Sequence, residues 1–249
     1  MHTHALFAHR PRRTLLVAAL VVVVSATGAA AANAAVIGPD VSSNNHSVGG
    51  VVNWSFVHTA GGASFAFVKA TEGVGYRNPN FTSDFASVHA HGMIRGAYDF
   101  ARPSGATNAA VIADATAEAN FFVRTTGTLH AVGDLPPALD IEVAGTLNPA
   151  RLSLWTHTWL ARTKRLTGRT PILYTYPSFW KTKMGNSASF AGYPLWLASY
   201  SRISPAMIGG WKRYTFWQYT YTARLAGVNR IVDMSVFNGT EAQLKAMAN

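Results

Sequence analysis

A chain of 249 residues with 49% hydrophobic and only 13% charged residues has ample apolar material for a core, which excludes a disordered chain. Its 21 Lys and Arg outnumber 11 Asp and Glu, and the net charge of +10 suits anionic partners such as wall polymers, nucleic acid or lipid headgroups. It contains no cysteine, which excludes disulfides and thiol catalysis.

Residues 1–34 read as a secretory signal peptide. Arg10, Arg12 and Arg13 form a basic opening, TLLVAALVVVV is an apolar run too short for a membrane span, and Ala32-Asn33-Ala34 fits the small-residue cleavage rule. Cleavage after Ala34 takes away three arginines and no acid, so the net charge falls from +10 to +7. The expected product is a secreted, extracellular protein over residues 35–249, with no membrane contact after cleavage. No linker, charge block or repeat interrupts that stretch, so it reads as one domain, and a monomer is the default.

Strand and helix patterns then alternate. AVIGPDV reads as a strand, Val51–Thr59 as a short helix, SFAFVKA as a strand and Asn80–His91 as a helix. MIRGAYDFA is the third strand, followed by a long helix near Ala106–Arg124. LPPALDIEV holds the fourth strand. Pro149–Leu166 is a helix stopped by Gly168, and TPILYTY is the fifth strand. Beyond it the helical signal weakens, and YPLWLASY, YTFWQYT and IVDMSVF read as three more strands. Repeated βα units imply a parallel sheet. Eight strands in this order point to an α/β fold, a (β/α) barrel whose last third has lost most of its helices.

Active sites of such barrels lie at the C-terminal ends of the strands. Asp40, Glu72, Asp99, Asp140, Glu142 and Asp233 all fall in, at or just after predicted strand ends, a concentration that scattered surface acids would not give. Asp140 and Glu142 raise the sharpest question, because strands are poor in acids and buried acids are costly. At positions i and i+2 they share one face, roughly 6.6 Å apart along the chain. Two such carboxyls cannot both ionise freely, so one stays protonated beside an ionised partner. That division suits glycoside hydrolysis, in which a carboxylic acid protonates the leaving oxygen. Binding of a hard cation or a structural pair are the alternatives.

The other candidates are less specific. Trp54, Trp180, Trp196 and Trp217 stand near strand ends, where rings can stack on sugars or fill the core. Trp155 and Trp159, at i and i+4, are expected in the core. Glu72 reads as a substrate contact, with Lys69 pairing to it or to the acids. Tyr98, Tyr174, Trp196 and Gln218 are candidate cleft residues, though each could equally fill the barrel. The histidines lack metal-ligand spacing, so no metal is expected, and nothing implies a cofactor. Ser42 and Ser43 lack a nucleophile-elbow context.

GPDVSSNN, GGVVNWSFV, FAFVKATEGVGYRNPNF, GMIRGAYDFARP, LPPALDIE, TPILYTYPSFW, YPLWLASY, FWQYT and VDMSVFNG occur in that order. Together they resemble glycoside hydrolase family 25, the Chalaropsis-type lysozymes or N,O-diacetylmuramidases, from about Val36 to Leu244. The resemblance implies a flattened, TIM-like (β/α)5(β)3 barrel. It also implies hydrolysis of the β-1,4 bond between N-acetylmuramic acid and N-acetylglucosamine in peptidoglycan. It makes Glu142 the general acid and gives Asp140 the task of orienting the substrate's 2-acetamido group as an internal nucleophile, with an inverting route as the alternative. Asp40 and Asp233 complete the implied acidic cluster. The chain departs from the family at Asp99, where the family usually has His. Alternation makes either Tyr98 or Asp99 face inward.

The expected partners are therefore peptidoglycan strands and the anionic wall surface. A wall-binding module that kept the barrel without turnover is the runner-up. A secreted nuclease or nucleic-acid binder is the third reading, and no basic-aromatic motif supports it, so no nucleic acid is expected.

Overall fold

The computed structural model describes residues 34–46, 50–201 and 203–249. The expected signal peptide lies, apart from Ala34, outside the described residues. The elements run β1 (Ile37–Val41), α1 (Trp54–Thr59), β2 (Phe65–Glu72), β3 (Tyr76–Arg77), α2 (Phe81–Ala90), β4 (Ile94–Phe100), α3 (Asn108–Thr126), β5 (Ala138–Asp140), α4 (Pro149–Thr167), β6 (Ile172–Thr175), α5 (Pro177–Lys183), β7 (Leu195–Ala198), β8 (Phe216–Ala223), β9 (Val232–Phe237) and α6 (Glu241–Met247).

Eight strands close into a barrel because β1 pairs with both β2 and β9. The two-residue β3 stays outside the barrel, hairpinned onto β2. The seven barrel strands β1, β2, β4, β5, β6, β7 and β8 run parallel. The last does not follow the all-parallel expectation: β9 is antiparallel to both β8 and β1. The 224–231 connection is too short for the crossover of a dozen or more residues that a parallel pair requires.

The helices form where local chemistry supports them. The side chain of Thr107 accepts from the Ala110 N–H at the start of α3, and Asn148 does the same for Arg151 at the start of α4, ahead of Pro149. Gly168 closes α4 at φ 71°, a left-handed conformation that suits glycine. The C-terminal α6 was not anticipated, although Thr240 and Gln243 form a capping box at its start.

Two apolar layers result. One lies between strands and helices and holds Val68, Leu139, Ile141, Leu173 and the expected core pair Trp155 and Trp159. The other plugs the barrel with Phe65, Phe67, Tyr98, Tyr174, Trp196 and Phe216. Phe67 stacks on Trp196 with ring centroids 4.2 Å apart. Gly96 makes that plug possible, since a Cβ there would sit 2.3 Å from the Phe67 ring. The plug fills the interior, so substrate access is confined to the rim.

Buried tryptophans use acids away from the rim as acceptors. Trp54 donates to Asp84 at 3.0 Å, Trp155 to Asp114 at 2.7 Å and Trp159 to Asp99 at 2.9 Å. Trp54 and Trp180 are therefore packing residues rather than exposed ring platforms. The indole of Trp217 donates to the Ser199 carbonyl at 2.7 Å.

Candidate active site

One polar cleft at the C-terminal rim of the parallel strands collects most of the sequence candidates. Its walls are Asp40, Ser42, Asn44, Lys69, Tyr98, Phe100, Asp140, Glu142, Tyr174, Trp196, Gln218 and Asp233, around a cavity of about 190 Å³. The parallel strands deliver Asp40, Tyr98, Asp140 and Tyr174 from their C-terminal halves, and Trp196 and Gln218 from within β7 and β8. Asp233 stands at the start of β9, and only the reversed direction of that strand brings it to the same rim. There it is the register partner of Asp40.

Asp140 is the last residue of β5, and Glu142 lies just beyond the strand. Ile141 between them points into the layer under the helices. The side-chain alternation thus continues past the last ladder bond, and both acids line the cleft. They differ in setting: Asp140 is buried, whereas Glu142 is half-buried. Among the described residues, Oδ1 of Asp140 is buried and has no hydrogen-bond partner.

All four acids are pushed above the ordinary carboxyl range, and loss of hydration is the largest cause in each. For Asp40 the Asp233 charge adds to it, and for Asp140 the Glu142 charge does. Glu142 is raised by burial and Asp233, against the pull of Lys69 and Arg102. Asp233 reaches about 6, held down by the hydrogen bond from Asp40. The proximity of the two carboxyls thus disfavours ionising both at once. Tyr98 and Tyr174 are raised by burial and by these carboxylates, and remain neutral phenols.

Gln218 ties the cluster together. Its amide nitrogen donates to Asp40 at 2.9 Å and to Asp233 at 3.3 Å. Its carbonyl accepts from the hydroxyls of Tyr174 at 3.0 Å and Tyr200 at 2.9 Å. The indole of Trp196 donates to Ser235 at 3.0 Å. Gln218, expected as a substrate contact, is thus saturated by protein groups.

Glu72 does not line the cleft. It pairs with Lys69 and with Arg102, whose Nε lies 2.9 Å from Oε1; against the upward push of burial, these cations together hold its carboxyl below the usual range. It orients Lys69, whose Nζ also lies 4.5 Å from the Phe100 ring centroid. Asp99 turns away from the cleft and Tyr98 turns in. Asp99 accepts from Thr71 at 2.6 Å and from Trp159, and burial pushes it up to about 7. Asn44, Phe100 and Tyr200 were not among the expected site residues. Asn44 sits in a one-turn 3-10 helix after β1 and carries no periodic signal, whereas Tyr200 follows β7 in phase with Trp196 and Ala198.

The model for glycosyl hydrolases family 25 matches residues 39–228. The chain is 35% identical over 215 residues to the N,O-diacetylmuramidase of Chalaropsis sp, covering 82% of this chain and 96% of that protein. It is 36% identical over 208 residues to Lysozyme M1 of Streptomyces globisporus, covering 80% of this chain and 68% of that one. The crystal structure of the bacterial lysozyme from Streptomyces coelicolor superposes with a TM-score of 0.78 at 36% identity, over 87% of this chain and 98% of that chain. An acid-lined rim on a closed barrel, together with a match over most of its length, means that this chain belongs to glycosyl hydrolases family 25 and is a glycoside hydrolase of the lysozyme type.

Proposed function

We propose that the protein is a muramidase that cuts the β-1,4 bond between N-acetylmuramic acid and N-acetylglucosamine in peptidoglycan, with Glu142 as general acid. The observation that carries this reading is the gathering of four acids, all with raised pKa, in one cleft at the barrel rim. A general acid must be protonated at working pH and within reach of the leaving oxygen. Glu142 suits both needs: burial and the Asp233 charge favour its protonated form, and it is the more accessible member of its pair.

Asp140 takes the second role. Its unpartnered Oδ1 is a buried acceptor, and the N–H of the substrate's 2-acetamido group would satisfy it. That bond turns the acetamido oxygen toward the anomeric carbon as Glu142 protonates the leaving oxygen. The C–O bond breaks as the acetamido C–O bond forms. Water then opens the cyclic intermediate, and ionised Glu142 takes back a proton. Asp40 and Asp233, when they share one proton, leave a single negative charge facing Glu142, which favours its protonated form. Tyr98, Tyr174 and Trp196 shape the floor on which the sugar rests.

The protein is further proposed to act outside the cell, exported by the leader over residues 1–34 and drawn to the anionic wall by its excess of basic residues. It is proposed to work as a monomer. No helix among the described residues is long and apolar enough to cross a membrane.

The test is digestion of purified peptidoglycan with Glu142→Gln as control, read by mass spectrometry. New reducing ends on N-acetylmuramic acid, absent in the control, support the reading. Wall binding without products would make this a binding module instead.

A further inference from the structure

Tyr200 has two surroundings. Its hydroxyl donates to Gln218, a wall of the cleft, at 2.9 Å. Its ring lies outside, against the ring of Tyr221, with centroids 4.7 Å apart and planes at 51°. The two side chains remain 52% and 54% exposed. Single exposed aromatics need no explanation. A fixed pair joined by a hydrogen bond to the floor of the cleft is a different case.

The backbone explains where this pair stands. β8 runs on past Gln218 to Ala223, paired with β9 up to Val232, so the hairpin rises beyond the rim. Tyr221 rides on that extension, and Tyr200 comes from the segment after β7. The cavity over the acids holds only about 190 Å³, whereas a glycan strand is a polymer. A strand seated on the acids must leave over the rim. Pyranose rings present flat C–H faces, which aromatic rings accept with little dependence on hydroxyl pattern.

We propose that Tyr200 and Tyr221 form a further sugar-binding subsite that takes one pyranose ring of the glycan strand just outside the acid-lined cleft. The proposal rests on the muramidase reading. Tyr200 supplies a wall fixed by its bond to Gln218, and Tyr221 supplies the outer face. The subsite contributes to binding of longer chains and does not touch the bond being cut.

The test measures kcat/KM on peptidoglycan glycan oligomers of increasing length, separated by chromatography, for wild type, Tyr221→Ala and Tyr221→Phe. Wild type gains efficiency when the oligomer grows long enough to reach the pair. Tyr221→Ala loses that gain, about tenfold and mainly in KM, on the scale of one aromatic contact. It cuts the shortest cleaved oligomer as wild type does, and Tyr221→Phe keeps the gain. A Tyr221→Ala enzyme that retains the full gain, or loses the same factor at every length, overturns the subsite. So does a loss confined to glycans that carry stem peptides, which would assign the pair to peptide. Failure of wild type to cut any oligomer overturns the muramidase reading itself.

Discussion

Asp40 and Asp233 are register partners across the β1–β9 pair, so two carboxyls from opposite ends of the chain meet at the rim. Gln218 donates one amide group to both. The amide favours the ionised form of Asp40, against burial and the Asp233 charge. Gln218→Leu therefore raises Asp40 further and leaves the hydroxyls of Tyr174 and Tyr200 without their acceptor. The expected result is a rate loss of about 10²-fold, typical of a displaced charged or acid–base group. The acid limb of the pH–rate profile should also move to higher pH. An unchanged profile in a folded variant would show that the amide only packs.

Glu142→Gln should lower hydrolysis by about 10³-fold or more, because an amide cannot supply the acid proton. Its melting temperature should hold or rise, since a partly desolvated carboxyl is replaced by a neutral group of the same shape. Asp140→Asn should also slow the reaction heavily while leaving wall binding in place. Wild-type-like turnover in the Glu142 variant would sink the mechanism.

The carboxyl cluster was readable in advance because its members sit at strand ends, where the barrel's geometry and the chain's scarcity of acids coincide. Strand direction was less readable. Asp233 read as lying in the last strand, whose direction was taken as parallel; it stands second in β9, near the start, and the short 224–231 connection was the available clue to the reversal. The inward or outward facing of Asp99 depended on local regularity. The pairing of β2 with β4 shifts register between Lys69 and Thr71, so neighbouring parity could not be carried across. The destination of Asp99 is Trp159, 60 residues away, and such long-range partners leave no local pattern. Tyr200 was legible but not among the expected residues: it keeps the i, i+2 parity of Trp196 and Ala198 past the end of β7, and its hydroxyl meets Gln218 on that inner side.

The stereochemical outcome follows from the role given to Asp140. Attack by the acetamido oxygen inverts the anomeric carbon, and attack by water inverts it again. The product first released should keep the β configuration, as two inversions require. Proton NMR of an oligomer digest, followed before mutarotation, checks this. A first-formed α anomer would mean direct attack by water and would move Asp140 to the role of base.

Asp99 and Glu118 lead to a stability prediction independent of catalysis. Both are buried, and neither lines the cleft. Burial pushes Asp99 up to about 7. Burial and the Asp99 charge push Glu118 up to about 9. Their folded pKa values thus exceed the ordinary carboxyl values near 4, so the folded state binds more protons than the unfolded state over that interval. Stability falls with rising pH wherever the folded state holds the extra proton. The window runs from about pH 4 to 7 for Asp99 and on to about pH 9 for Glu118. The raised cleft acids act in the same direction, and Glu72, which is lowered, acts against it. The melting temperature should therefore drop by several degrees between about pH 5 and pH 9. Glu118→Gln keeps a carbonyl for the Arg102 N–H, which the carboxylate accepts at 3.2 Å. That variant should reduce the drop over the whole interval from about pH 5 to pH 9, and most visibly above pH 7, where Asp99 no longer adds to it. A variant that melts with the wild-type pH slope would mean that Glu118 ionises inside the fold, compensated by nearby Arg102.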